Sequence, residues 1–370
     1  MLASPEHVSS SVVVADDGPR LVRQGLGLPS DAPLRIAYVA GPGDACGTFE
    51  HWRLGAHDPR IPVVTYSSMF YSLVEALDAT ALLLIEQDKQ PAVPDPRFQF
   101  VYTKRTRGRR GLAYRVDEFA FAKRVLRHLN EYRPDVILIG TDAPAWLIRN
   151  LPNAKRIVLT AHNCFWPMGN RPETVRAGLK LHVLSRALRR LDVAVNTSKE
   201  CAVQVAALGG PTGARSFTET PQVLKAFFPP LLEERPLAQR LLYLGRIEAK
   251  KGVFDLLGAF AELAKDRPNL ELGFAGAGSG ESALRSAIAG SGYSDRITMH
   301  GLLPSMAVHN LLDQSDLLIC PTRSDFAEGL ALVAIEAASM ASRRSLVPSY
   351  QPRRCCRVVA LSFRWTTPLP

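Results

Sequence analysis

Short apolar runs alternate with amphipathic segments along most of the chain, and this alternation limits the fold more than any other sequence feature. In the C-terminal half, an apolar run at 240–244 is followed by an amphipathic stretch that begins at Gly252, and another apolar run begins at Leu270. Runs of roughly four to eight apolar residues are typical of strands that are buried on both faces. Strands that alternate with helices favour right-handed parallel βαβ units. The sequence therefore predicts an α/β protein with parallel sheets.

The same alternation occupies the N-terminal half. Its predicted strands are the runs at 34–40, 79–85, 136–140, 156–161 and 191–198. The first run ends in a glycine-rich loop at 41–47. In a Rossmann-like sheet, a glycine loop after a strand lets the backbone approach a ligand, so Gly43 is a candidate binding residue. A plain turn between a strand and a helix is the alternative.

Length and composition predict how the chain is divided. A chain of 370 residues is long enough for two domains with separate cores. Shifts in composition predict a loosely ordered leader at 1–32, a first domain at 33–217, a proline-rich linker at 218–239, a second domain at 240–341 and a basic tail at 342–370. No apolar run reaches the roughly 18 residues of a membrane helix, and the N-terminus lacks the apolar core of a secretory signal. Because the six cysteines lack metal-site spacing, we expect thiols in a reducing compartment and a cytoplasmic location.

The positive charge is concentrated at two places. The formal net charge of the chain is +10. Six of these excess positive charges are arginines in the stretch 343–370, which contains no acidic residue, so the rest of the chain is only mildly basic. A second cluster runs from Lys104 to Arg110, where a solvated loop or a phosphate-bearing or membrane-associated acceptor would explain it. No aromatic residues interleave with these cations, which argues against nucleic acid as a partner. Peripheral contact with the inner face of a membrane stays open.

The stretch from Asp316 to Met340 combines a predicted strand, a polar loop and a helix that begins near Leu330. Glu328 lies in the loop and Glu336 lies inside the helix, with seven residues between them. Open α/β sheets bind ligands at the carboxyl edge of their strands, where this loop is expected. The helix start offers N–H groups to a phosphate or a sugar hydroxyl, and carboxylates accept from sugar hydroxyls. An ordinary helix with two solvated glutamates is the alternative interpretation.

An upstream stretch gives these glutamates a context. A predicted strand ends in Gly245-Arg246, and Lys251-Gly252 follows a few residues later. Together with the glutamates at 328 and 336, these residues resemble the C-terminal half of retaining glycosyltransferases of family four, which have the GT-B fold. The resemblance is good from about 240 to 340 and looser from about 34 to 230. It implies two Rossmann-like domains that face each other across a cleft, and sugar transfer from a nucleotide-diphosphate sugar with retention of anomeric configuration.

Such a transfer needs positive charge beside the leaving diphosphate. Arg246 supplies a planar fork of donors and Lys251 supplies a point charge. Because the sequence also has no Asp-x-Asp motif, no metal and no other cofactor are expected. The resemblance implies that His162 and Glu328 are catalytic, with Glu328 at the transferred sugar and His162 approaching from the first domain. The other donor-binding residues are Gly329, Leu330 and Ala331 through their N–H groups, Glu336 at the ribose, Leu302 at the base, and Gly43 in the glycine loop.

The resemblance stops near residue 341. Family members continue with a further strand and helices, whereas this chain continues with an arginine-, proline- and serine-rich tail. We interpret the change as a shifted reading frame or a truncation, which would leave the second domain incomplete; a basic membrane-binding tail is the rival interpretation. The functional alternatives are a nucleotide-sugar epimerase of the same architecture and an inactive truncated sugar-nucleotide-binding protein. The sequence does not specify whether the acceptor is a saccharide, a lipid-linked molecule or a small molecule.

Overall fold

The computed structural model describes residues 17–56, 58, 65–106, 111–219, 238–339 and 345–348. The chain divides into two compact units. The first comprises Met1–Asp58, Val64–Phe165 and Pro172–Pro221, and the second comprises Pro59–Val63, Trp166–Arg171 and Gln222–Pro370. Most of the predicted linker, the first half of the predicted leader and most of the predicted tail lie outside the described residues.

The first unit is built on a seven-stranded sheet in which every neighbouring pair of strands is parallel. Its strands are β1 (Leu34–Val39), β2 (Ala79–Ile85), β3 (Phe98–Tyr102), β4 (Val136–Gly140), β5 (Arg156–Ala161), β6 (Val193–Asn196) and β7 (Ser216–Thr218). They lie in the order β3-β2-β1-β4-β5-β6-β7. The helices are α1 (Gly18–Gly25), α2 (Ala45–Arg53), α3 (Tyr66–Ala76), α4 (Gly111–Tyr132), α5 (Ala145–Arg149), α6 (Val175–Leu188) and α7 (Lys199–Ala207). The predicted parallel α/β organisation is confirmed.

An aromatic cluster fills one side of this sheet. Phe49 of α2 has no exposed surface, and its ring centroid lies 5.1 Å from those of Phe98 and Phe100 and 5.2 Å from that of Tyr71. Burial of one such ring contributes roughly 1.5–3 kcal/mol. The apolar runs of the sequence form strands because the helices that follow them supply side chains for this core.

Helix α1 differs from the sequence prediction. The chain was expected to be loosely ordered up to residue 32, and this prediction is wrong for Gly18–Gly25, which form α1. The buried Arg23 side chain donates to the carbonyl oxygens of Leu77 and Asp78 at 3.0 Å each. The available signs of this helix were local: Asp17 lies at its N-cap, and a proline follows within its first turn.

Arg105 differs from the solvated-loop interpretation of the basic run. Its side chain is 6% exposed and lies 2.8 Å from Glu118, 3.0 Å from Asp142 and 3.3 Å from Glu86. The guanidinium also lies over the ring of Phe121, 4.7 Å from its centroid. The carboxylates come from segments remote in sequence, so the run of cations alone could not reveal this cluster. Residues 107–110 of the run lie outside the described part of the chain.

The second unit is built on a five-stranded parallel sheet in the order β10-β9-β8-β11-β12. Its strands are β8 (Arg240–Leu244), β9 (Glu271–Ala275), β10 (Ile297–Gly301), β11 (Leu317–Cys320) and β12 (Ser345–Pro348). Its helices are α8 (Val253–Ala264), α9 (Glu281–Ala289), α10 (Ser305–Gln314) and α11 (Leu332–Ser339). Leu241 and Tyr243 of β8 belong to one buried cluster and Leu242 belongs to another, so this strand is buried on both faces.

Strand β12 lies within the predicted basic tail, where the sequence predicted no strand. Ser345–Pro348 pair in parallel with β11, with Leu346 opposite Leu318. Among the described helices, none combines the length and the apolar content that a membrane span requires.

Candidate functional site

The carboxyl ends of β8, β9, β10 and β11 surround a cavity of about 560 Å³ within the second unit. The residues that line it are Tyr243, Leu244, Gly245, Arg246, Lys251, Ala275, Gly276, Ala277, Leu302, Leu303, Val308, Cys320, Thr322, Glu328, Leu330, Ala331, Leu332 and Val333. Six of the predicted site residues are among them: Arg246, Lys251, Leu302, Glu328, Leu330 and Ala331. The structure therefore brings together at one sheet edge residues that span 86 positions of sequence.

Two glycines allow the loops around the cavity to pack backbone against backbone. Gly252 has a φ of +76°, and a Cβ there would lie 1.9 Å from the carbonyl oxygen of Pro321. Gly276 has a φ of +133°, and a Cβ there would lie 1.9 Å from the carbonyl oxygen of Gly245. Only a residue without a side chain fits at such positions. These contacts fix the loop that carries Arg246 and Lys251 against the ends of β9 and β11.

Lys251 and Glu328 form an ion pair at the cavity wall, between Nζ and Oε2. Their side chains are 14% and 31% exposed, so solvent screens the pair only in part. The Thr322 hydroxyl lies 3.5 Å from the same carboxylate oxygen of Glu328. The Lys251 ammonium also lies over the ring of Phe326, 4.4 Å from its centroid.

Arg246 is the more exposed of the two cavity cations, with 60% of its side chain in solvent. Its guanidinium contacts the Glu248 carboxylate at 2.9 Å and lies over the Phe326 ring at 5.4 Å from the centroid. The Tyr243 hydroxyl donates to the Arg246 carbonyl oxygen at 2.6 Å. The backbone of Arg246 is thus held in place while its side chain reaches solvent.

The charge of the cavity wall is set by three side chains. Burial raises the pKa of the Cys320 thiol to about 11, with Lys251 lowering it and Glu328 raising it. Burial also raises the pKa of Tyr243, so both groups are neutral near pH 7. Among the lining residues that the structure describes, Arg246, Lys251 and Glu328 are then the charged ones, and together these three carry one net positive charge. Such a wall favours an anionic ligand.

Helix α11, which follows the loop that carries Glu328, begins at Leu332, two residues later than predicted. Its first two residues and the two residues before it line the cavity, so the start of this helix lies on the same wall as the charged side chains. Gly329 does not line the cavity. Glu336 lies within α11, but its side chain falls outside what the structure describes, so its role stays a prediction.

Two predicted residues belong to the first unit. His162 directly follows β5, and its Nδ1 lies 3.3 Å from the Thr160 carbonyl oxygen. Gly43 is exposed in the loop between β1 and α2, and a Cβ there would meet no atom within 4 Å. The roles of His162 and Gly43 also stay predictions.

Three further residues of the site were not predicted from the sequence: Phe326, Tyr243 and Thr322. The Phe326 ring lies under both cavity cations. The Tyr243 hydroxyl donates to the Arg246 carbonyl oxygen, and the Thr322 hydroxyl donates to the Glu328 carboxylate. A single aromatic residue in an otherwise polar loop, Arg323–Phe326, was the available sign of Phe326.

The described residues that line this cavity lie within a segment that is similar to known proteins. Residues 232–341 match the family model described as glycosyl transferases group 1. Over 116 residues the chain is 33% identical to alpha-D-kanosaminyltransferase of Streptomyces kanamyceticus, a match that covers 31% of this chain and 28% of that protein. Over 228 residues it is 28% identical to glycogen synthase of Mycobacterium tuberculosis, covering 56% of this chain and 50% of that protein. The chain thus spans half or less of the length of these curated relatives.

The fold is also found among solved structures. Sucrose-phosphate synthase from Thermosynechococcus elongatus is similar with a TM-score of 0.60 at 15% identity, over 85% of this chain and 81% of that chain. A likeness at this identity shows the fold alone. It confirms the predicted α/β fold of the GT-B class.

Proposed function

We propose that this protein is a retaining glycosyltransferase, because its residues 232–341 match the family model of the glycosyl transferases group 1. It moves a sugar from a nucleotide-diphosphate sugar to an acceptor that is a saccharide, a lipid-linked molecule or a small molecule. The donor binds in the cavity of the second unit. The observation that carries this proposal is the convergence of Arg246, Lys251 and Glu328 on one wall with net positive charge.

The reaction breaks the bond between the anomeric carbon and the diphosphate, and negative charge grows on the leaving oxygens. Arg246 and Lys251 lie on the cavity wall where they would receive that charge, Arg246 as a fork and Lys251 as a point charge. A preorganised donor of this kind typically contributes about 3 kcal/mol in the transition state. The N–H groups around Leu330 and Ala331 add further donors.

Glu328 is proposed to bind the transferred sugar by accepting from its hydroxyls. Its ion pair with Lys251 orients the carboxylate at the cavity wall before the sugar arrives. Glu336 is proposed at the ribose, Leu302 at the base, and Gly329 and Gly43 at the donor. His162 is the proposed second catalytic residue. In a front-face reaction the leaving phosphate takes the proton of the acceptor hydroxyl, so retention needs no carboxylate nucleophile.

Independence from metal ions is part of the proposal, and the two cavity cations support it. They are placed to neutralise the leaving group, which is the work that a divalent cation would otherwise do. We expect the transfer rate to be unchanged by a chelator. A rate that falls with chelator and returns with Mg²⁺ or Mn²⁺ would show this part of the proposal to be wrong.

Thermal unfolding with a panel of UDP, GDP, ADP and their common sugars tests the donor site. One nucleotide series is expected to stabilise the protein, by about 2.7 kcal/mol at a hundredfold excess over Kd. Arg246→Ala and Lys251→Ala should reduce this stabilisation. Lys250→Ala is the matched control, because Lys250 is adjacent, 60% exposed, paired with Asp325 and absent from the cavity wall. A cooperative transition that no nucleotide moves would contradict the proposal.

Product analysis separates transfer from the two alternatives. Sugar transfer to an added acceptor supports a glycosyltransferase, an epimerised nucleotide sugar supports an epimerase, and binding without turnover supports a sugar-nucleotide-binding protein. His162→Ala should abolish transfer while the nucleotide still stabilises the protein. Loss of nucleotide binding in this variant would instead give His162 a structural role.

A further inference from the structure

We propose that Phe326 is a positioning residue whose ring holds Arg246 and Lys251 together for the donor diphosphate. The inference rests on the proposed function and concerns the same cavity. Phe326 does not line the cavity, so it acts through the two cations and not on the ligand itself.

The geometry places two like charges over one aromatic ring. The Lys251 ammonium is 4.4 Å and the Arg246 guanidinium is 5.4 Å from the Phe326 centroid, both within the roughly 6 Å over which a ring attracts a cation. Two cations that converge on a diphosphate site repel each other before the ligand arrives. The negative face of the ring offsets part of this repulsion, since it attracts both.

The ring differs from the other partners of these cations. Lys251 pairs with Glu328, and Arg246 pairs with Glu248. When Glu328 turns to sugar hydroxyls, as proposed, its hold on Lys251 weakens. A phenyl ring has no oxygen for which the ligand competes, so its contact with Lys251 persists in the complex. Phe326 thus keeps Lys251 in position when Glu328 changes partner.

The backbone gives Phe326 a fixed place. The site loop, residues 323–328, is bonded to the loop that carries the cations, because the Arg323 N–H donates to the Lys250 carbonyl oxygen at 3.0 Å. The Phe326 N–H donates to the Arg323 carbonyl oxygen at 3.1 Å, and the Glu328 N–H donates to the Phe326 carbonyl oxygen at 3.1 Å. The residue whose ring contacts the cations and the residue whose carboxylate pairs with Lys251 are therefore joined by a backbone hydrogen bond within one loop.

The test replaces the charge distribution of the ring and keeps its shape. Phe326 is substituted with phenylalanines that carry one, two or three fluorines, and with leucine, tyrosine and tryptophan. The probes are the best-stabilising nucleoside diphosphate among UDP, GDP and ADP, the matching monophosphate, and inorganic pyrophosphate. We expect diphosphate affinity to fall stepwise with fluorination and by roughly 3- to 30-fold in Phe326→Leu. Tyrosine and tryptophan should restore it, and the monophosphate should respond less.

Two controls separate positioning from loop stability. Lys250→Ala removes contacts between Lys250 and Asp325 of the site loop without touching the ring or the cavity wall. If this variant loses as much affinity as Phe326→Leu, loop order is responsible and the inference is wrong. The inference is also wrong if affinity does not change along the fluorinated series, since a purely structural ring would tolerate fluorine.

The proposed function and the inference fail in different ways. If no nucleoside diphosphate and no pyrophosphate bind the wild type, the proposed function is contradicted and the inference falls with it. If the wild type binds a diphosphate, Arg246→Ala weakens binding and Phe326→Leu leaves it unchanged, the inference alone is overturned.

Discussion

The pKa of the Cys320 thiol depends in part on the charged side chains of the cavity wall. Burial raises its pKa to about 11, while Lys251 lowers and Glu328 raises it. A thiol whose pKa rises on folding contributes stability that is fully present below its unfolded value, near 9, and is lost as pH rises through about 11. Alkylation needs the thiolate, so Cys320 should react slowly at about pH 8.5.

Substitution of the two charged neighbours should move this reactivity in opposite directions. Glu328→Gln removes a negative charge, so the pKa of Cys320 should fall and its reaction with iodoacetamide should become several-fold faster. Lys251→Ala removes a positive charge, so the pKa should rise and the reaction should slow. Mass spectrometry of the Cys320 peptide gives the rates. If both variants react faster, the cavity has opened and charge is not the cause.

At Gly252, the loop that carries Arg246 and Lys251 lies against the backbone of Pro321, directly after β11. Alanine at this position would combine a left-handed backbone with a contact of 1.9 Å to the Pro321 carbonyl oxygen. We expect Gly252→Ala to lower the free energy of unfolding of the second unit by about 2–4 kcal/mol. Gly258→Ala is the matched control in α8, where a Cβ meets nothing within 4 Å, and should raise it by about 0.5–1 kcal/mol. Urea unfolding measures both, and equal effects would contradict the close approach.

At the residue scale, a site residue could be predicted when the pattern that identifies it lies within a short stretch of the sequence. Arg246, Lys251 and Glu328 were predicted because they belong to short motifs after predicted strands, and these motifs together resemble those of family-four glycosyltransferases. Phe326 and Arg105 were not, since their partners come from segments remote in sequence. A contact between two residues that are distant in the sequence produces no regular spacing by which a single sequence could reveal it.

At the scale of elements, the apolar runs predicted the strands of both sheets except β7 and β12. Buried parallel strands are apolar on both faces, so their sequence pattern survives without knowledge of their neighbours. Helix α1 and strand β12 were missed for a physical reason: α1 is anchored by the buried Arg23, and β12 is a four-residue strand among arginines and prolines. Backbone pairing with β11, and not side-chain pattern, identifies β12.

Strand β12 lies beyond the last residue of the family match and covers one side of β11. A chain that ends after residue 344 loses this strand, whereas a chain that ends after residue 350 retains it. We expect the shorter chain to unfold at a lower temperature and to aggregate more readily, because β11 would become an unpaired edge. Thermal unfolding and light scattering compare the two, and equal behaviour would show that β12 adds no stability.

At the scale of the whole molecule, the chain has separate cores. Phe49 belongs to a cluster in the first unit, and Phe260 belongs to a cluster in the second. Both side chains have no exposed surface. All described residues that line the cavity belong to the second unit, so a nucleotide that binds there, as proposed, should stabilise that core directly.

Matched substitutions in the two cores test this organisation. Phe49→Leu and Phe260→Leu are each expected to cost roughly 1–3 kcal/mol, because a smaller side chain leaves a cavity. Hydrogen exchange should then increase in β2 peptides for Phe49→Leu and in β9 peptides for Phe260→Leu. The stabilising nucleotide should restore protection of β9 in Phe260→Leu and leave β2 of Phe49→Leu unchanged. If Phe49→Leu deprotects β9 as strongly as β2, the chain unfolds as one cooperative body and a nucleotide bound to the second unit stabilises both.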